Sequence, residues 1–398
     1  MVPFLRKGYN ETFTNEKYLA YLAELNNVYP GQLDFRVAET PIFIPAHFKD
    51  KVLSACESII DVISEPSYHQ QSARAIPKNV WVPNEDERPH FIAFDFGICF
   101  NESGEVEPQL IEMQAFPTLF AWQVLLPEIW GKHFSYPSGY SHFLNGLNRD
   151  SYLSLLRKII IGDADPEQVV LLEIFPEQQK TRVDFHATGE LVGIKTVCLT
   201  DLEVVGKDLF YFLDGKKTRI ERIYNRLIFY DLFEQPKEVQ EKGSILHRDL
   251  NVTWVPHPNW FYRLSKFTLP FIKHPCVPQT RFLSDVATIP HDLQNYVVKP
   301  LFSFAGQGVI IDVTREQIDA IKDPENWILQ RKVAYAPVIE TPGEPAKAEI
   351  RVFYFWEPGA RRPVATNNLA RLSKGKMVGV RYNKDKDWVG GTFCLFEE

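Results

Sequence analysis

The sequence is poor in the residues that announce covalent or zinc chemistry. Its five cysteines (Cys56, Cys99, Cys198, Cys276 and Cys394) are scattered, odd in number and never spaced as CxxC, which leaves no basis for a disulfide framework or a zinc knuckle. Ten histidines show no HxH or HExxH spacing and no serine sits in a GxSxG elbow, so a hydrolytic nucleophile has no support. A Walker sequence is absent too. Basic residues are outnumbered, 44 Lys and Arg against 51 Asp and Glu for a net charge of -7. That balance argues against nonspecific binding to nucleic acid or to an anionic membrane, both of which rest on surplus positive charge. Long apolar runs are missing: Phe91 to Phe100 and Thr118 to Trp130 are short or broken by Asp95, Pro127 and Glu128, so none is expected to span a bilayer. Met1 to Lys7 carries no apolar signal core, and the cytoplasm is the expected location.

What remains is ordinary globular composition, 45% hydrophobic and 24% charged over 398 residues, enough chain for two or three domains. The 28 prolines are spread as punctuation and mark no linker. Apolar spacing at Phe48, Val52, Ala55, Ile59 and Val62 predicts a helix over 45 to 63, and a second is expected from about Pro117 to Trp130. Between them, His90 to Phe100 and Gln109 to Ala115 predict a hairpin turning near Asn101 to Gly104. Residues 151 to 290 mix helices and short strands in an α/β or α+β pattern. From Gln294 onward YVVKP, SFAGQG, VIIDV, TREQIDAIKD and WILQRKV predict a compact β-turn-β-α-β unit. The stretch from Glu349 reads as three or four strands with no closing helix.

Three groups of residues carry the chemistry. In the hairpin, period-two alternation points Phe94, Phe96, Ile98 and Phe100 one way and Asp95 the other, while Glu112 and Gln114 share a face. Oxygen-only ligands of this kind suit Mg²⁺, and Mg²⁺ implies phosphate; an edge hairpin with a wet polar face is the plainer reading. In the lid-like unit, Lys299 ends an apolar strand, and the turn of Ser303, Ala305, Gly306 and Gly308 can fold backbone N–H groups over phosphates, as an ordinary hairpin turn also could. The C-terminal strands gather Arg361, Arg362, Arg371, Lys374, Lys376, Arg381, Lys384 and Lys386, which suits a polyanion or a charged strand edge. Arg222 and Arg226 are candidate carboxylate binders in the middle segment.

Taken in order, these residues resemble the ATP-grasp superfamily, in its circularly permuted branch that includes eukaryotic-type glutathione synthetase and glutathionylspermidine synthase-like proteins. LSKFTLPFIKHP and YVVKP resemble the segments carrying two ATP lysines, Lys266 and Lys299, and SFAGQG resembles the lid loop. WILQRKV resembles the adenine-contacting strand, with Gln330 where the family usually has Glu, and Arg331 and Val333 beside it. EIRV is similar to the strand that places Glu349 at the ribose and Arg351 after it, and Arg371 and Asn383 fall where the family carries phosphate and substrate groups. FAFDFG and IEMQAFP resemble the permuted metal-binding piece, implying Asp95, Glu112 and Gln114 as metal ligands, with Gln114 in place of Asn.

The resemblance implies a permuted ATP-grasp fold of mixed α/β (α+β) class, with an antiparallel core sheet, a small lid and an α/β substrate domain. Its expected parts are 1–135, 136–290 for the substrate domain, 291–340 for the lid and 341–398. The implied function is a Mg-dependent, ADP-forming carboxylate-amine ligase using ATP and Mg²⁺, with catalytic Arg351, Arg371 and Asn383 and small-molecule or peptide substrates. A phosphotransferase on the same cradle, or a nucleotide-binding protein with little or no turnover, stays open.

Overall fold

The computed structural model describes residues 1–302, 307–375, 378, 383 and 385–398. Its largest element is a six-stranded antiparallel sheet that joins the two ends of the chain. Strands Phe91–Phe100 and Val106–Gln114 form the hairpin. Its inner strand pairs on the other side with Lys347–Phe355, which pairs with Val364–Ser373, which in turn pairs with Gly390–Thr392. The hairpin turn closes as its residues dictate: Asn101 Oδ1 accepts from the N–H groups of Ser103 and Glu105, and Gly104 takes a φ of 82° that disfavours a side chain.

Alternation along Phe91–Phe100 splits the core. Phe94, Phe96 and Ile98 join one apolar cluster with Val52, Ala55, Cys56 and Ile59 of helix Ala46–Ser64. Phe91 and Ala93 face the opposite cluster, where Phe91, Phe120, Phe353 and Phe355 pack edge to face or tilted. Three expectations shift. Phe100 is 40% exposed instead of facing the core; helix Ala46–Ser64 buries Ile63 in that core while the expected Val62 packs against it only partly; and the second helix starts later, at Trp122–His133. In that last case Asp184 accepts from the N–H groups of Ala121 and Trp122 and so marks the start.

Within the middle segment a parallel sheet runs in the order Thr253–Val255, Arg222–Asn225, Val169–Glu173, Lys195–Cys198. Helix Arg182–Val192 makes the crossover between the last two, and a capping box of Asn148 and Ser151 starts the preceding helix, Arg149–Ile161. A third sheet, antiparallel, sets Trp327–Arg331 between Tyr296–Pro300 and Thr280–Phe282 over a small core of Leu283, Val298, Val313, Ile318 and Leu329. This small sheet includes Thr280–Phe282, and among the described residues the strand expected over VIIDV is reduced to one bridge, Val298 to Ile310. Only Lys332 and Val333 separate its central strand from Ala334–Tyr335, which rejoins the large sheet.

The C-terminal strand Cys394–Glu397 pairs in parallel with Ile42–Ile44, and helix Ala46–Ser64 starts against its end, Glu397 accepting from Ala46 N at 2.9 Å. Among the described residues no helix is long and apolar enough to cross a membrane. All five cysteines are free thiols, four of them buried.

Candidate functional site

A charged cluster lies where the hairpin, the neighbouring strand pair and the lid meet. Register builds it. Asp95 sits between Glu112 and Arg351 across the ladder, and one pleat further on Gly97, Glu349, Arg371 and Gly391 form the next row. Residues two apart share a face, so three carboxylates and two guanidiniums collect on one side of the sheet. Arg351 grips Asp95 with Nε and Nη2, both at 2.6 Å, and its Nη1 reaches Thr118 Oγ1 at 3.3 Å. Arg371 Nη2 donates to Asp95 at 3.2 Å and to Glu349 at 2.7 Å.

A bulge in the hairpin brings in the lysines. Pairing steps from Asp95–Glu112 to Phe96–Leu110, leaving Ile111 without a partner, and its carbonyl accepts from Lys299 Nζ at 3.2 Å. Bulges re-aim side chains in this way. Lys266, at the start of a 3₁₀ turn capped by Ser265 and Thr268, puts its Nζ 3.4 Å from Glu112 Oε2. Segments almost two hundred positions apart thus converge: Lys266 and Lys299 from the lid side, Glu112 and Asp95 from the hairpin, Glu349, Arg351 and Arg371 from the late strands.

Electrostatics follow from that crowding. Burial alone would raise the Glu112 carboxyl, but Lys266, Arg351, Arg371 and Lys299 together outweigh it and hold it down to about 2. Burial lowers the Lys299 ammonium to about 8, against the pull of Glu112. Glu349 is raised by burial despite Arg371, and it accepts a short hydrogen bond from the Tyr335 hydroxyl. Burial and that carboxylate push the hydroxyl far above its ordinary value.

Tyr335 and Thr118 were not singled out from the sequence. A signal for Tyr335 existed in Gly97, a glycine inside an apolar strand: a Cβ there would lie 2.8 Å from the Tyr335 ring, which crosses the strand at that point.

Gln330 is buried and bonds Thr280 at 3.0 Å. Arg331 pairs with Asp292, its ring neighbour is Tyr296, and its backbone N–H donates to Gln279 O at 2.9 Å. Val333 lies in the two-residue link between the lid and the large sheet. The amide of Asn383 bonds Ser373 and the backbone of Lys374. Gly308 takes a φ of 72° beside Pro300. Ser303 and Gly306 lie outside the described residues, as do Lys376, Arg381 and Lys384.

The rest of the basic group disperses: Arg362 pairs with Glu57 and Asp61, and Lys386 with Glu344. Arg222 donates to the carbonyls of Ile159 and Ile160 at a helix end, and Arg226 to those of Pro117 and Thr118; both are committed to backbone and neither presents itself as a carboxylate binder.

Asp95 is held more tightly than the other two expected metal ligands. Its carboxylate is 1% exposed and both oxygens are held by arginine, and among the described residues no group of three or more His, Cys, Asp and Glu side chains is arranged to hold a metal ion. Glu112, 24% exposed, and the half-buried Gln114 keep the reach that Asp95 lacks.

These features define a mixed α/β protein with several sheets and a cluster of opposite charges where the hairpin, the late strands and Lys266 and Lys299 meet. No protein-family model matches the chain, and no curated protein matches it in sequence. In three dimensions the chain is similar to a solved structure: a glutathione synthetase-like effector from Globodera pallida, in its apo form, aligns over 97% of this chain and 98% of that one with a TM-score of 0.59 at 10% identity. At that identity the likeness is one of fold, and the chain has a glutathione synthetase-like fold.

Proposed function

We propose that the chain is an ATP-dependent carboxylate-amine ligase on a circularly permuted ATP-grasp fold. The observation that carries this reading is the meeting of Lys266 and Lys299 with the Glu112 strand, at 3.4 Å to the carboxylate and 3.2 Å to the neighbouring carbonyl, beside Arg351 and Arg371. Four cations against three carboxylates leave a surplus of positive charge where a triphosphate would lie, and Arg371 is one-third exposed to meet it. The helix Ala46–Ser64, an early segment set against the end of the late strand Cys394–Glu397, supports the permutation, because it joins the two ends of the described chain in one unit.

The residues fit a nucleotide triphosphate, taken here as substrate. Lys266, Lys299 and Arg371 would neutralise the phosphates, and the lid strand Trp327–Arg331 with its two-residue link would border the base. For Mg²⁺ the fit is narrower: Glu112 and Gln114 would hold it, without Asp95, which accords with a cation that takes one or two carboxylates and otherwise phosphate and water. Bound there, the metal would offset charge between phosphate oxygens. The protein's own part in phosphoryl transfer to a carboxylate is positioning and charge stabilisation, so no nucleophile is required. An amine would then displace phosphate from the acylphosphate, with the α/β segment shaping the pocket for the two substrates.

The test is trapping. Incubation with ATP, Mg²⁺, hydroxylamine and pools of amino acids or small peptides should yield a hydroxamate together with ADP. Phosphate retained on the product would point to a phosphotransferase. A second reading, nucleotide binding without turnover, is favoured by one feature: both site arginines are already committed to carboxylates. ATP binding with no ADP released from any pool would select it.

A further inference from the structure

We propose that Asp95 is not a metal ligand but the fixed anion that holds Arg351 and Arg371 side by side as a cradle for the transferred phosphoryl group. The inference rests on the nucleotide reading above and names the work of one residue within it. Asp95 is 1% exposed, and Arg351 meets it side-on through two bonds of 2.6 Å. Paired charge-assisted bonds of this kind fix a guanidinium in direction as well as in place. A metal at Asp95 would compete with these bonds and set a second positive charge beside Arg351, whose side chain is 13% exposed and would lose much of its counter-charge.

Arg371, by contrast, retains capacity. Arg371 uses a single nitrogen, Nη2, for both Asp95 and Glu349, so a group with five N–H donors is only partly engaged, and its side chain is 34% exposed. Glu349 is itself anchored by Tyr335. The chain Tyr335, Glu349, Arg371, Asp95, Arg351 and Thr118 therefore sets the two guanidiniums before any ligand arrives. Charge that forms on a transferring phosphoryl group is stabilised most by donors that need no reorganisation.

Two measurements on the full chain separate the roles: calorimetric titration with ATP in excess EDTA, and binding of Mn²⁺ to the ATP-saturated protein followed by electron paramagnetic resonance. Wild type should bind ATP in EDTA. Asp95→Asn should weaken that binding about tenfold while its Mn²⁺ affinity stays within about twofold; Glu112→Gln should do the reverse. Arg351→Lys, which keeps the charge and loses the paired geometry, should reproduce the Asp95→Asn pattern and serves if Asp95→Asn does not fold. Loss of Mn²⁺ in Asp95→Asn or Arg351→Lys with ATP binding in EDTA unchanged would overturn the proposal, as would a wild type that binds no phosphate ligand in EDTA. Inorganic tripolyphosphate distinguishes the failures. If it binds where ATP does not, the cradle stands and the nucleotide reading falls; if ATP binds wild type and Asp95→Asn equally, the cradle falls and the nucleotide reading stands.

Discussion

Replacing Lys299 with Met separates a ligand-binding lysine from a structural tie. The side chain is 8% exposed and its Nζ makes one hydrogen bond, to the Ile111 carbonyl at 3.2 Å. As a tie, that bond is worth about 1.5–3 kcal/mol at most, the range for a bond to a charged group. Against it stands the burial of an ammonium whose pKa has fallen from 10.5 to about 8, which corresponds to about 3 kcal/mol of destabilisation at neutral pH. The two effects nearly cancel, so Lys299→Met should unfold in urea within about 1 kcal/mol of wild type at pH 7. Phosphate binding should respond far more. A charge pair near 4 Å is worth about 4 kcal/mol at an effective dielectric of 20, and halving that for lost solvation predicts about a thirtyfold rise in the ATP Kd by calorimetry. Unchanged ATP affinity with a stability loss of several kcal/mol would refute the assignment and leave Lys299 as a tie between lid and hairpin.

Further outcomes are expected at the same site. Because the folded-state pKa of Lys299 is depressed, the unfolded chain binds more protons between about 8 and 10.5, so wild-type stability should rise relative to Lys299→Met across that window in pH-dependent urea melts, while ATP affinity falls as the lysine loses its charge. Glu112 has the opposite sign: held below its ordinary value by Lys266, Arg351, Arg371 and Lys299 against burial, it contributes stability present above pH 4.5 that should be lost as pH falls toward about 2, a loss absent in Glu112→Gln when acid unfolding is followed by circular dichroism. Gly97→Ala would set a methyl 2.8 Å from the Tyr335 ring and should cost about 1–3 kcal/mol in urea unfolding, with near-ultraviolet dichroism reporting the displaced tyrosine.

The hairpin and the helix Ala46–Ser64 were legible because strong period-two and helical patterns override local detail; both appear close to their expected bounds. The lid strand carrying Lys299 was legible for the same reason. The pairing of charges was not. That Arg351 lies opposite Asp95 depends on the register between strands about 250 residues apart, which no local pattern encodes, and that Lys299 meets Ile111 depends on a one-residue bulge. Asp95 therefore read as an open carboxylate when the fold closes it with arginine. Arg222 and Arg226 misled for a related reason: a long cationic side chain in a strand can bind a ligand or satisfy backbone carbonyls, and only the packing of helix Arg149–Ile161 and of the loop at Pro117 decides which. The strand expected at VIIDV did not form because, among the described residues, that run finds one bridging neighbour, at Val298.

The most direct measurement of the central claim is a crystal structure with a non-hydrolysable ATP analogue. The account predicts phosphate oxygens within about 3 Å of Lys266, Lys299 and Arg371, at hydrogen-bond distance, with the base against the Trp327–Arg331 strand. An analogue bound elsewhere, such as in the aromatic cavity of about 590 Å³ lined by Phe267, Phe282 and Trp327, with the charged cluster undisturbed, would contradict it.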